Sequence, residues 1–252
     1  MDGNRANSGR TQPLVSIMRI VCISDTHKQH ERLDPLPNGD LLIHCGDFSS
    51  TGQAQSIFDF AHWFSKQPHK HKILIAGNHD LTLHKDYYAQ NWRRFHRISP
   101  EPSEKIISFL RDHTGFKYLE DESIVIEGFK CYGSPWQPAF FNWAFNQKRG
   151  TESQKRWNQI PTDTDILITH GPPYGLGDLC RSGIRAGCEA LLDEVQNRVR
   201  PLVHCFGHIH EGYGQYTDGT THYINASSCS VRYIPNQEPI CFDLVDASNP
   251  QR

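Results

Sequence analysis

The sequence has no C-x-x-C pair, no run approaching the ~20 apolar residues of a membrane span, and almost no excess of charge. Its eight cysteines stand singly, at Cys22, Cys45, Cys131, Cys180, Cys188, Cys205, Cys229 and Cys241. That spacing gives no support to a zinc ribbon. Cys22, Cys45 and Cys205 fall in apolar runs, where a free thiol acts as a small hydrophobe. The first sixteen residues are polar and lack the apolar stretch of a signal peptide. A disulfide scaffold is therefore not expected in 252 residues, and a cytoplasmic setting is. A net charge of −2 leaves no basic footprint for nucleic acid. No membrane partner is expected either. No Gly-x-Ser-x-Gly elbow and no Gly-x-x-x-x-Gly-Lys phosphate loop occur, although a Ser or Cys nucleophile stays open.

What is present is a rhythm of short apolar runs, each followed by a polar motif. Ile17 to Ser24, Leu41 to Cys45, Ile73 to Ala76, Ile166 to Thr169 and Val203 to Phe206 read as buried strands. Between them, Gln53 to Gln67 and Ser103 to His113 carry apolar residues at helical spacing, with Ser103 as N-cap. A further helix is expected over Cys188 to Val199. Strand, helix and strand in alternation argue for an α/β core. Short strands at Lys117 to Leu119, Ser123 to Ile126 and Phe129 to Gly133 argue for an antiparallel portion. Later strands are expected at Gly214 to Tyr216, Thr221 to Asn225 and Ile240 to Leu244. Residues 1–16 and 246–252 read as tails around one catalytic domain, 17–245, with no linker or repeat.

Five motifs follow the apolar runs in order: Asp25-Thr26-His27, Gly46-Asp47, Gly77-Asn78-His79-Asp80, His170-Gly171 and Gly207-His208-Ile209-His210. Open α/β sheets bind ligands at the carboxyl ends of their strands, where these motifs fall. Asp25 and His27 are two apart, as are His208 and His210, so in extended backbone each pair can point one way. The glycines before Asp47, Asn78 and His208 permit tight turns. Seven side chains could hold two divalent ions, with Asp47 as a bridge and His79 as a proton donor beside them. Two such ions against two carboxylates leave a net charge of about +2, which attracts a singly charged phosphodiester. Nitrogen and oxygen donors without thiolate fit Mn, Fe, Co or Zn.

This motif set resembles that of the calcineurin-like metallophosphoesterase superfamily. The longer stretches Cys22 to His27, His170 to Gly175 and Gly207 to Gly214 are closest to its metallophosphoesterase-domain-containing (MPPED) subfamily. The likeness runs from about Ile17 to Leu244. It implies an α/β/β/α sandwich of four layers with two mixed sheets, and a hydrolase cleaving phosphodiesters, cyclic nucleotides among them. It implies Mn as the favoured metal. One ion would sit on Asp25, His27, Asp47 and His210, and the other on Asp47, Asn78, His170 and His208. A bridging hydroxide would attack phosphorus in line, His79 would protonate the leaving oxygen, and Asp80 could orient His79. Ser50 stands where purple acid phosphatases carry Tyr. Gly46 to Gly52 lacks the Arg of Ser/Thr protein phosphatases. A protein phosphatase, or a weakly active or non-catalytic nucleotide-binding scaffold on the same fold, is the competing reading.

Other residues have two readings each. The aromatic stretch Ser134 to Phe145 could be a wall or lid for a nucleobase, with Trp136 its foremost candidate, or it could be core or subunit interface. Tyr174 could line the pocket. Arg181 and Arg185 could meet a phosphate or only solvent. His44 and His204, inside strands, read as satisfied core or edge histidines. Asp40 and Asp165 read as loop ends. An oligomer is possible.

Overall fold

The computed structural model describes residues 17–33 and 35–245; the tails expected at 1–16 and 246–252 lie outside the described residues. The first sheet contains β1 (Ile17–Ile23), β2 (Leu41–His44), β3 (His71–Leu74), β4 (Lys117–Tyr118) and β13 (Ile240–Val245). Its order is β13-β1-β2-β3-β4, parallel except for β13. The second contains β5 (Glu122–Ile126), β6 (Phe129–Ser134), β9 (Ile166–Thr169), β10 (Val203–Phe206), β11 (Gly214–Thr217) and β12 (His222–Asn225). Its order is β11-β12-β10-β9-β6-β5, with parallel strands inside and antiparallel pairs at both edges. A small parallel pair joins β7 (Gln137–Pro138) to β8 (Asn146–Gln147).

Strand alternation assigns each residue to a layer. Ile20 and Cys22 of β1 meet Ile43 and Cys45, and face Ile168 and Cys205 of the second sheet. Val21 and Ile23 point the other way, onto α1 (Ala54–Lys66), α2 (Lys85–Asn91) and α3 (Ser103–Arg111), through Ile57, Phe60, Tyr88 and Ile106. Leu167 and Phe206 of the second sheet pack outward against Trp157 of α4 (Thr151–Trp157) and Leu191 of α5 (Glu189–Asp193). The result is α/β/β/α in four layers. Strands buried on both faces read as near-continuous apolar runs, which is why these were visible.

Several details differ from the expectation. Of the three runs expected to be antiparallel, the one at Lys117 pairs in parallel with β3 in the first sheet, and the other two form the antiparallel hairpin β5–β6. Ser103 is the first helical residue, after Pro102 as N-cap, and its hydroxyl has no hydrogen-bond partner. The helix expected from Cys188 begins at Glu189 and becomes a π-helical turn over Glu194–Val199. Helices α2 and α4, seven residues each, lack a long enough apolar period to read. Asp40 and Asp165 clamp the strand ends far from the site, through Arg19 N–H and Lys130 N–H, both at 2.8 Å.

Candidate metal centre

All five motifs follow the carboxyl ends of parallel strands, β1, β2 and β3 from one sheet and β9 and β10 from the other. The sheets converge there: Ser24 bridges Ser227, and His170 Nδ1 donates to Cys45 O at 2.8 Å. The chain leaves the strands in an uncommon conformation. Asp25, His27, Asp47 and His208 have φ of 51°, 41°, 58° and 67°. Such residues cost on the order of 1–3 kcal/mol each and persist only where surroundings enforce them. Here Asp25 N–H donates to Gly46 O, His27 N–H to Asp47 O, and His208 N–H to Asp25 Oδ2, at 2.9–3.0 Å. The motif glycines serve two purposes. Gly46 turns at φ 98°, whereas at Gly77 and Gly207 an added Cβ would lie 2.3 Å from Asp47 Oδ1 and 2.1 Å from Asp25 Oδ2. Those two are there for space, not for the turn.

Three donor groups gather, each with ligand atoms within 4.8 Å: Asp25, His27 and His210; His27, Asp47 and His79; Asp47, His170 and His208. Asn78 joins the third, its Oδ1 3.0 Å from His170 Nε2. Asp47 belongs to two of the three groups, one shared with His27 and His79 and the other with His170 and His208, while Asp25 and His210 meet His27 in the remaining one. Two of the imidazoles are aimed from behind, while His27 Nδ1 is buried with no hydrogen-bond partner. His170 Nδ1 is held by Cys45 O and His210 Nδ1 by Ser230 O at 3.0 Å, leaving Nε2 of both toward the carboxylates. Asp25 Oδ1 is buried with no hydrogen bond of good geometry, only His210 Nε2 at 3.4 Å, and Nε2 of His27 and His210 face each other at 3.3 Å. Such an orphan oxygen and two opposed nitrogens fit a cation among them.

The charge pattern agrees. Burial favours a neutral Asp25, yet His210, His170 and His27 hold its carboxyl well below the usual range. Asp47 is likewise held low against burial, chiefly by His170 and His79. Burial lowers His27 to about 4 and His208 to about 3. His170 and His210 resist burial and rise to about 9 and about 8, driven by Asp47 and Asp25 respectively. Beneath the ligands, His44 Nε2 meets Thr26 Oγ1 at 3.0 Å and His204 Nε2 meets Thr169 Oγ1 at 2.8 Å. Both are core histidines; His44 is satisfied as expected, whereas His204 Nδ1 is buried without a partner.

His79 Nδ1 donates to Ser50 O at 2.9 Å, which turns Nε2 toward Asp47 Oδ2, 4.0 Å away. Trp143 stacks on the ring at 4.2 Å. Asp80 does not touch that ring. It accepts from Asp47 N–H and Gly77 N–H on one oxygen and from Ser49 N–H and hydroxyl on the other. Its work is to tie the His79 loop to the Asp47 loop. Burial, then the Asp47 charge, push it up to about 7.

The opening is a cavity of about 170 Å³ floored by Asp47, Asn78, His79, His208 and His210. Its rim is Phe140, Glu211, Val231 and Tyr233. Phe140 stands 5.5 Å from the His208 ring, and Tyr233 4.8 Å from His27. Trp136 and Tyr174 are not in this lining. Trp136 donates to Asp121 Oδ2 at 3.1 Å, carries the Arg156 guanidinium over its face at 3.8 Å, and packs on Phe145. Thus the aromatic stretch reaches the site through Phe140 and Trp143. Arg185 pairs with Asp178 at 2.6 Å. Sequence reading also missed Ser227, whose hydroxyl lies 3.0 Å from Asp25 Oδ2 and 2.9 Å from Asn225 Oδ1. Its signal was available: Ala226-Ser227 follows β12, which pairs in parallel with β10, as the motifs follow their strands. Tyr233 and Glu211 carried no comparable signal.

Comparison with known proteins places this geometry. The family model for calcineurin-like phosphoesterases matches residues 18–212. Human metallophosphoesterase domain-containing protein 1 is 46% identical over 241 residues, covering 92% of this chain and 72% of its own. The Caenorhabditis elegans UPF0046 protein C25E10.12 is 40% identical over 232 residues, covering 90% and 81%. The crystal structure of TT1561 of Thermus thermophilus shares the fold at a TM-score of 0.58 and 12% identity, over 84% of this chain and 90% of that one.

Proposed function

This chain belongs to the calcineurin-like phosphoesterase family, and on that footing we propose that this metal-dependent phosphoesterase is a phosphodiesterase, with cyclic nucleotides as a substrate class. Residues 17–245 form its catalytic domain. The observation that carries the reading is the pair of donor groups sharing Asp47 in a cavity whose lining holds no Lys or Arg. Asp25, His27, Asp47 and His210 would hold one divalent ion; Asp47, Asn78, His170 and His208 would hold the other, with Mn favoured. When bound, such a pair supplies Lewis acidity toward phosphoryl oxygens and lowers the pKa of water.

The side chains do the rest. With Nδ1–H committed to Ser50 O, a second proton on His79 must sit on Nε2, facing the cavity. That proton passes to the leaving oxygen as the phosphorus–oxygen bond breaks. The Trp143 stack and the Ser50 bond fix the plane in which it is offered. A cavity of about 170 Å³ is below the ~300 Å³ of ordinary ligand pockets. It seats a phosphate and its nearest atoms, so a nucleobase lies in the open rim, against Tyr233 or Phe140. A protein phosphatase would need a cationic clamp for a dianion, and the lining offers none.

The test is to strip metal, reconstitute with Mn, and compare a cyclic nucleotide, an aryl phosphodiester and an aryl phosphomonoester with the same leaving group. Higher kcat/KM on the diester is expected. Faster cleavage of the monoester would overturn the diesterase reading, and no turnover of any substrate would favour the scaffold.

A further inference from the structure

We propose that Glu211 is a charge filter that sets the selectivity of this site for singly charged phosphate esters. The inference rests on the phosphodiesterase reading and extends it to a residue outside the ligand set. Glu211 sits in the short turn His210–Gly212, directly after a proposed ligand. It lines the same cavity as Asp47, His208 and Tyr233. Its Oε1 accepts the backbone N–H of Arg181 at 3.0 Å, which fixes the carboxylate on the rim. Among the described residues it makes no ion pair, and no Lys or Arg shares the lining. The rim therefore carries one negative charge that no Lys or Arg of the lining pairs with, set against the cationic floor that the bound ions would make.

The chemistry gives that charge a use. In diester hydrolysis one phosphorus–oxygen bond forms to a water oxygen and one breaks to the leaving oxygen, which takes a proton. The substrate carries one negative charge. The monoester product, with a second pKa near 6, carries close to two at neutral pH. A fixed carboxylate repels the dianion more than the monoanion. It thus disfavours monoesters as substrates and hastens departure of the product. One extra unit charge several ångströms away, in a partly screened mouth, changes relative affinity by roughly 3–10-fold.

Glu211→Gln removes the charge and keeps an oxygen for the Arg181 N–H; Glu211→Asp keeps the charge. With the Mn-reconstituted full chain, kcat/KM is measured on an aryl diester and its matching monoester, with the inhibition constant of inorganic phosphate, at low and high salt. In Glu211→Gln the diester-to-monoester ratio and the phosphate inhibition constant should each fall roughly 3–10-fold, while Glu211→Asp stays near wild type. The gap between wild type and Glu211→Gln should narrow with added salt, because salt screens the charge that the exchange removes. Glu211 is exposed, so the exchange leaves the packed core untouched. A Gln variant with unchanged ratio, a gap that ignores salt, or equal changes in Gln and Asp would overturn it. A wild-type enzyme that prefers the monoester would instead overturn the diesterase reading itself.

Discussion

The floor and the rim of the cavity are built on different principles. The floor and the ligands beneath it hang from strand ends; Asp47 and Asn78 of the floor, with Asp25 and His170 below, are at most 2% exposed. Each is tied by backbone or side-chain hydrogen bonds to the other sheet or the next loop. The rim is borne on loops, with Phe140 44% and Tyr233 49% exposed. A largely buried, strained and hydrogen-bonded floor suits ions whose donors must hold position; a half-exposed rim suits a substrate that must enter and leave. Substitutions in the floor should therefore abolish chemistry, and those in the rim should tune it.

The largest effect is expected at Asp47. Asp47→Ala should lose both ions by elemental analysis and fall to background hydrolysis, because its carboxylate belongs to two of the three donor groups. Two tightly bound metals in that variant would remove the bridging assignment. His79→Ala comes next. It should keep its metals and lose ~10²–10⁴-fold on poor leaving groups, far less on an activated aryl ester. Equal losses on both would deny it the proton.

A third test concerns protons. At pH 7 the metal-free protein holds His170, raised to about 9, and His210, raised to about 8, in their charged forms. Ligands must be deprotonated to bind, so metal binding near pH 7 should release protons from these two histidines. Release should decline as pH rises through about 8 and then about 9. The same shift has a stability sign: protonation of these histidines stabilises the metal-free fold below their unfolded pKa, and that contribution is lost as pH rises through about 8 to 9. Calorimetry in buffers of different ionisation enthalpy reads the release, and a constant release from pH 7 to 10 would contradict it.

The smallest effects separate rim from packing. Tyr233→Ala should raise KM about tenfold for a nucleotide but little for a small diester, as expected of a single stacked base. Trp136→Ala should do neither. It should lower stability by about 2–3 kcal/mol, less than the ~3–5 of a fully buried aromatic, and affect all substrates alike. A nucleotide-selective loss at Trp136 would restore it to the substrate wall.

How much the sequence disclosed follows the same division. The floor was legible because strand ends, glycines and ligand types coincide in short motifs, and the strands above them are apolar on both faces. Asp80 was legible as part of its motif but not in its contacts, since only the fold shows Asp47 N–H and Ser49 converging on it. The rim was opaque. Phe140, Trp143 and Tyr233 reach the site through irregular loops, Phe140 and Trp143 flanking a left-handed Phe141 and Tyr233 itself left-handed. Trp136, two residues past β6, drew attention by position, and Asp121 and Arg156 hold it elsewhere.

The central claim is a pair of ions sharing one carboxylate, and electron paramagnetic resonance of a Mn titration tests it most directly. Metal-free protein should take up two Mn per chain and develop an exchange-coupled signal that Asp47→Ala cannot form. Binding that stops at one ion, or two ions with uncoupled signals, would contradict the account.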